Sequence, residues 1–527
     1  HLSIRRQRQM CIRDRSRTCY LMQQGRFVAD VCVYYGDEAP NLVPARRLPP
    51  TIDNPYPAGT CQHCGKSLPV DLSTLGQGYD YDYINEEVLL QRMKVQDGRL
   101  VLPGGMSYRM LVLPDRSGIS LEALMRIGEL IHAGATVVGR KPERSNSLRG
   151  YPECDDQVKE WAAKIWGECD GEKVKSKAYG KGRICWNMSL REVLQEMKVE
   201  ADFVPLDVKN HDQHIDYIHR STAEEDIYFV SNSSMKREVV RCRFRVAGDR
   251  VPRFWNAENG VVSPCYVYEV KNGFTDVTLD LAAASSLFVV FAKGTAENAI
   301  ADISMLEKTL PEAAIHALPN LEIKEVSEAG VTVLGWHSGR YRVKSISGNE
   351  AVVEIPPLPE GVALAGPWSV KFPPDRGAPE EVMMESLLAW DNHPNSRVRF
   401  FSGTATYTNR FVRPTAAINQ GPLLLDLGEV CDVAVVRVNG KEAGTLWKAP
   451  FHIDISALVK AGENRLEVDI VNQWNNRLVG DSQLAVDQRI TRSNLTGKFS
   501  AASPLLRSGL LGPVTLRQAV YVTMPWR

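Results

Sequence analysis

Hydrophobic positions follow two different rhythms along this chain. Between Tyr79 and Leu194 short apolar blocks alternate with stretches of helical spacing. Met110-Leu111-Val112-Leu113 predicts a strand, ended by Pro114-Asp115. Ser120 to Ala133 predicts an amphipathic helix: Ser120 suits the N-cap, Leu121, Leu124, Ile127, Leu130 and Ile131 share one face, and Gly134 suits the C-terminus. Thr136-Val137-Val138 and Gly182 to Trp186 predict further strands, Asp155 to Trp166 and Leu190 to Met197 further helices. This βαβα order predicts a parallel sheet covered on both faces. Upstream, Phe27, Val28, Val31, Val33 and Tyr34 read as one short apolar strand, and 46–78, rich in Pro, Gly and Asp, as a long loop.

From Asp202 the rhythm changes to short runs divided by turns. Examples are Ile227 to Val230, Val239 to Val246, Val277 to Leu281 and Val331 to Leu334. This pattern predicts β-sandwiches. Pro356-Pro357-Leu358-Pro359 reads as a linker, and Trp368 opens the last region. There, Asn439-Gly440 between two alternating runs predicts a hairpin with a type I′ turn. A second strand pair is expected across Lys460 to Asn464, where Gly462 supplies a positive φ, with Trp447, Phe451 and Trp474 close to the sheet surface.

The 527 residues suffice for three or four domains, and 44% apolar content supports ordinary cores. Lys+Arg and Asp+Glu balance at 63 each, so no nucleic-acid partner is implied. The longest apolar stretch, Leu279 to Ala292, is broken by Asp280, Ser285 and Ser286, and no membrane span is expected. Eleven irregularly spaced cysteines argue against a disulfide framework. Cys61-Gln62-His63-Cys64 has metal-like spacing but no second ligand pair nearby, so it reads as a loop with free thiols and no metal is assigned.

Residues 1–17 carry six Arg and one Asp. A basic arm has such a charge; a signal peptide needs an apolar core that is absent here. The stretch QMCIRDR, Gln9 to Arg15, resembles the translation of a sequencing adapter. Residues 1–17 are therefore expected to be non-native, and outside them acidic residues exceed basic ones by five. On that reading the true N-terminal region lies outside the sequence.

Several segments together resemble glycoside hydrolase family 106, the α-L-rhamnosidases. They are GRFVADVCVYYGDEAPN, GYDYDYINEEVL, GRLVLPGGMSYRMLVLPD, IHRSTAEEDIYFVSN, WNNRLVGD and SGLLGPVTL, and they run from about Thr18 to Leu516. The resemblance implies an α/β plus all-β chain: a flavodoxin-like or amidotransferase-like α/β domain followed by two β-sandwich (jelly-roll) domains. The expected divisions are 18–78 as the tail of a barrel domain and a loop, 79–201 as the α/β domain, 202–359 as a β-sandwich and 360–527 as a sugar-binding-like jelly roll. It further implies that the catalytic carboxylates belong to a (β/α)8 barrel upstream of Thr18. No catalytic residue is therefore carried over, and no cofactor is expected in this chain; calcium is expected only in the full-length parent. The partners implied are a plant or microbial polysaccharide and the chain's own missing N-terminal domain, with a periplasmic or secreted parent. An inverting pair needs a protonated carboxyl and a carboxylate roughly 6.5–9.5 Å apart. Amidotransferase chemistry needs a Cys on a strand-to-helix elbow, and none follows the Leu111 strand.

Two groups are candidate carbohydrate contacts. Asp80, Asp82 and Asn85 alternate with Tyr79, Tyr81 and Tyr83, pairing carboxylates for hydroxyls with rings for sugar faces. The competing reading is a cap and turn before a helix at Glu86 to Gln91. Trp474, Asn475, Arg477 and Asp481 form the second group, with an Arg477–Asp481 ion pair that fixes a loop as the alternative. His219-Arg220 reads as a domain-interface element. Asn187-Met188-Ser189, Asn232-Ser233-Ser234 and Asn494-Leu495-Thr496 match glycosylation acceptors. Two functions stay open on these grounds: part of a rhamnose-releasing hydrolase, or a non-catalytic array of carbohydrate-binding modules.

Overall fold

The computed structural model describes residues 2–37, 72–206, 214–294, 299–306, 321–358, 361–413, 421–495 and 497–526; of 2–11 it describes the backbone. The long 46–78 loop, the Cys61–Cys64 motif and the end of the Asn494 acceptor fall wholly or mostly outside these residues. The chain divides into two compact units, Arg15–Ala296 and Glu297–Arg527, the latter grouped with His1–Asp14. Mixed α/β structure is confined to the first, and the whole is largely β.

The first unit begins within helix α1 (Leu2–Met22) and contains a parallel sheet. Its order is β3 (Tyr81–Ile84), β2 (Val31–Tyr34), β7 (Met110–Val112), β8 (Thr136–Val138), β10 (Gly182–Cys185) and β9 (Ser176–Tyr179), with β9 alone antiparallel at its edge. Every residue of β2, β7 and β8 is buried, as expected where helices cover both faces. On one face lie α2 (Leu121–Ala133) and α3 (Glu153–Trp166), around Leu111, Leu124, Ile127 and Trp166. On the other lies α4 (Leu190–Glu196), around Val33, Val112 and Val193. The two predicted ends of α2 hold, and α4 has a cap of its own. Ser120 accepts the Ala123 N–H, Gly134 adopts φ 127°, and Ser189 with Glu192 forms a reciprocal capping box on α4.

The apolar stretch at 27–34 is two strands. β1 (Arg26–Phe27) pairs with β12 (Ile215–Ser221) of a different sheet. β2, grouped from the sequence with the segment ending at residue 78, sits between β3 and β7 inside the parallel sheet. Asp30 stands at the break, and its carbonyl takes the Arg109 N–H at 2.7 Å.

A short antiparallel sheet of β4 (Lys94–Gln96), β5 (Arg99–Val101) and β6 (Ser107–Tyr108) leads into β7. Two further sheets complete the unit. One runs β1, β12, β13 (Glu225–Asn232), β19 (Ser285–Lys293), β15 (Arg250–Trp255), β16 (Val262–Pro264); the other runs β11 (Phe203–Pro205), β14 (Glu238–Phe244), β18 (Phe274–Leu281), β17 (Tyr268–Lys271). Rings join their inner faces: Tyr217 and Tyr228 from one meet Phe203 and Phe244 from the other, with centroids 4.8–4.9 Å apart. The strands expected as a single sandwich over 202–359 thus fall into both units.

The second unit is antiparallel. A six-stranded sheet has the order 381–384, 368–371, 404–412, 463–471, 433–438, 441–446, and a four-stranded sheet the order 362–363, 515–518, 423–426, 452–454. A common core contains Trp368, Trp390, Tyr407, Leu425 and Val468. Asn439 and Gly440 adopt φ 53° and 80° in the two-residue turn that the sequence predicts. The second expected strand pair does not form. Glu463–Val471 pairs with Thr404–Val412 and Val433–Val438, whereas His452–Asp454 joins Leu423–Asp426 in the other sheet. A helical turn at Ser456–Leu458 interrupts the strand, and the Asn464 amide closes 460–464 on itself through Lys460 and Gly462. The last strand, Val520–Pro525, returns to pair with Gly330–Gly335.

Leu124 is fully buried between α2 and the parallel sheet. Leu124→Ala should destabilise the first unit by about 2–5 kcal/mol, measured by urea unfolding followed by circular dichroism.

Candidate functional site

The sequence candidates are mostly committed to the protein's own framework. Asp80 is buried, and its carboxylate accepts the Tyr81 N–H at 2.9 Å. Asp82 accepts the Tyr83 N–H at 2.8 Å and the Tyr108 hydroxyl at 2.9 Å. Asn85 accepts the Val88 N–H at 3.0 Å, capping the short helical turn Val88–Arg92. In the second unit, Arg477 and Asp481 are both buried and lie 3.1 Å apart on the helix Asn475–Ser482. Asp481 also accepts the Ile490 and Thr491 N–H groups at 3.2 and 2.8 Å, so the pair fixes the 482–491 loop. Asn475 donates to the Pro504 carbonyl at 3.0 Å. Trp474 is 53% exposed and keeps its ring open to solvent. The two groups lie in separate units, and each forms its own cluster.

The densest set of ionisable groups lies elsewhere, in the first unit. His219 on β12 is 4% exposed. Its Nδ1 is 2.9 Å from Asp202 and its Nε2 3.1 Å from Asp226, and its ring stacks on Tyr228 at 3.9 Å. Tyr228 donates its hydroxyl to Asp202 at 3.0 Å. Arg245, just past β14, lies 3.3 Å from Asp202 and 3.1 Å from Asp30. Arg250 donates to Asp226 at 2.6 Å. One continuous set of contacts therefore connects the start of β2, the approach to β11, β12, β13, the end of β14 and β15.

Burial alone would lower the His219 pKa. The charges and hydrogen bonds of Asp202 and Asp226 outweigh it and raise it to about 9. Burial opposes ionisation of Asp226, yet His219 and Arg250 hold its carboxyl below the usual range. Burial raises Asp30 despite Arg245. A His between two carboxylates invites comparison with a catalytic relay. Here both ring nitrogens are taken and the ring is closed to solvent, so it offers no nitrogen to a substrate. Its chemistry is that of a fixed cation.

Arg220 donates to the Gln24 and Gly25 carbonyls at 2.6 and 2.8 Å, tying the α1–β1 turn to β12. The sequence singles out His219 as a residue type but carries no signal for its partners, which lie 17 residues upstream and on the next strand. Asn232 is buried and its amide bonds Lys236 and Ala282 carbonyls, which removes it as a glycosylation acceptor.

A groove of about 360 Å³ lies between the C-terminal half of α1 and the β15–β16 hairpin, lined by Arg17, Tyr20, Trp255 and Val262 among others. Arg17 closes one side by donating to the Ala257 carbonyl at 2.7 Å. It shows no convergent set of acids or bases. Among the described residues no group of three or more His, Cys, Asp or Glu is arranged to hold a metal ion such as calcium.

Two outcomes are expected. The stability contributed by His219 is complete below pH ~6.5 and is lost as pH rises through about 9, because the raised folded-state pKa favours the protonated native form, by about 3 kcal/mol at most. His219→Gln should flatten that alkaline loss in urea titrations between pH 6 and 10. Asp481→Asn should cost the second unit about 3–5 kcal/mol by leaving Arg477 buried without its charge partner, read as an earlier unfolding transition.

Residues 66–270 match the family model of the glycoside hydrolase family 106 α-L-rhamnosidases. The structure aligns with a rhamnosidase from Novosphingobium sp. PP1Y at TM-score 0.73 and 29% identity, covering 96% of this chain and 40% of that one. A Formosa agariphila protein bearing the provisional name beta-glucuronidase is 26% identical over 96% of this chain and 56% of its own length. The chain thus spans about half, or less, of the relatives it matches. Over residues 66–270 the chain is thus similar to glycoside hydrolase family 106, the α-L-rhamnosidases.

Proposed function

We propose that this chain is the accessory portion of a glycoside hydrolase that releases terminal L-rhamnose, or a related sugar, from plant or microbial polysaccharide by inverting hydrolysis. Its flavodoxin-like or amidotransferase-like α/β domain and its jelly-roll domains buttress a catalytic barrel carried by the parent outside these residues. Calcium, where the parent uses it, belongs to that barrel. A polysaccharide substrate places the parent in the periplasm or outside the cell.

One observation carries the proposal. Nearly the whole chain superposes on a rhamnosidase while accounting for 40% of that enzyme. The locked state of the buried charges supports it. His219 and its carboxylates serve the framework, and the sequence-candidate acids are bonded to neighbouring amides and hydroxyls. Trp474 is the candidate best placed for a sugar, because an exposed ring stacks on the apolar face of a pyranose.

The purified chain should show no turnover of an aryl α-L-rhamnoside above background. Turnover matching an intact family member would refute the accessory assignment. Trp474→Ala should weaken oligosaccharide binding by about three- to tenfold, in line with one lost stacking contact of ~1 kcal/mol, read by calorimetry. Unchanged binding would remove Trp474 from the proposal.

A further inference from the structure

Arg99 and Arg109 form an arrangement that the folded chain alone does not balance. In the register of β5 and β6, Leu100 faces Tyr108 and Val101 faces Ser107. Continuing it by one position sets Arg99 opposite Arg109. Residues directly opposite share a face, so the two guanidinium groups project to the same side as Ser107, away from the core that holds Leu100 and Tyr108. Like charges in this relation repel. Both side chains are half-buried. Arg99 donates to Ser107 Oγ at 2.8 Å and to the Ser107 carbonyl at 3.3 Å. Arg109 Nε is shut off from solvent without a hydrogen-bond partner.

The neighbouring acids answer this charge only at a distance: Asp30 acts on both guanidinium groups without pairing with either. Among the described residues neither Arg99 nor Arg109 has a carboxylate within ion-pair distance. Asp30, whose carbonyl takes the Arg109 N–H, already binds Arg245 through both carboxylate oxygens at 3.1 and 3.2 Å. Asp202 and Asp226 are shared among Arg245, His219 and Arg250. Burial lowers the Arg99 pKa, and Arg109 and Arg245 add to it against the opposing pull of Asp30.

We propose that Arg99 and Arg109, with the Ser107 hydroxyl, form an anion site that receives the carboxylate of an acidic sugar. Two guanidinium forks on one face match the planar two-oxygen edge of a carboxylate. The choice of a sugar acid rests on the reading of this chain as part of a carbohydrate-active enzyme; the anion site itself does not.

The test is calorimetry on the whole chain at constant ionic strength with sodium D-glucuronate, sodium acetate, sodium sulfate and neutral D-glucose. Glucuronate should bind, and Arg99→Gln and Arg109→Gln should each weaken it by about tenfold or more, the effect of losing a hydrogen bond to a charged group. Without added anion, both variants should melt no lower than the parent chain, because each relieves the repulsion. Absence of glucuronate binding, binding indifferent to both substitutions, or variants that melt lower by the same amount with and without glucuronate would each overturn the site. Acetate or sulfate binding as tightly as glucuronate would overturn the sugar assignment and leave the anion site standing. The rhamnoside assay is independent of these arms, so the two proposals fail separately.

Discussion

A buried charge is stable only where its partners are built around it, and removal of one partner strands the other. The first unit depends on this constraint at His219. The imidazole belongs to β12, Asp202 precedes β11, Asp226 lies on β13, and Arg245 carries the contact on to Asp30 at the start of β2. Three sheets are fastened along one line of hydrogen bonds. The apolar contacts nearby, such as Tyr228 against Phe244 and Phe291, tolerate a small slide. The ion pairs do not, because a shift of one residue would turn each charged group to the other face. Burial supplies the driving force, and the charges set the register in which it is realised.

The same constraint separates framework from chemistry. Proton transfer needs a group within reach of substrate and free to change its charge. His219 meets neither condition, and the Arg477–Asp481 pair holds a loop in place. What these groups provide is fixed local structure within each unit.

Local signals were legible in the sequence and long-range pairing was not. The helices capped by Ser120 and Ser189, the strands at Thr136 and Gly182, and the Asn439-Gly440 turn follow from side chains within a few residues of each other. The split of β1 from β2 does not, because Val28 and Ala29 continue the apolar run and the break at Asp30 is imposed by Arg109 and Asp80 bonding its backbone. Likewise nothing near Glu463 or Val520 announces that these strands pair with partners at 404–412 and 330–335. At the candidate sites the i,i+4 spacing of Arg477 and Asp481 was enough to suggest an ion pair. His219 stood out only as a residue type, because its network is assembled from Asp30, Asp202, Asp226 and Arg245, which span more than two hundred positions.

The two units solve the problem of buried polarity in different ways. The first uses charges. The second relies largely on amides: Asn464 bonds Lys460 and Gly462, Asn472 bonds Gly403 and Phe401, and Asn476 bonds Leu506 on both its oxygen and its nitrogen. An amide offers a donor and an acceptor and does not titrate, so each closes a loop at every pH. A carboxylate or an imidazolium holds only while its protonation state lasts. Conditions that neutralise His219 therefore loosen the joint between the parallel sheet and its sandwich while leaving those amide-closed loops as they were. The alkaline loss of cohesion in the first unit follows from the choice of side chain at His219 and its two acids.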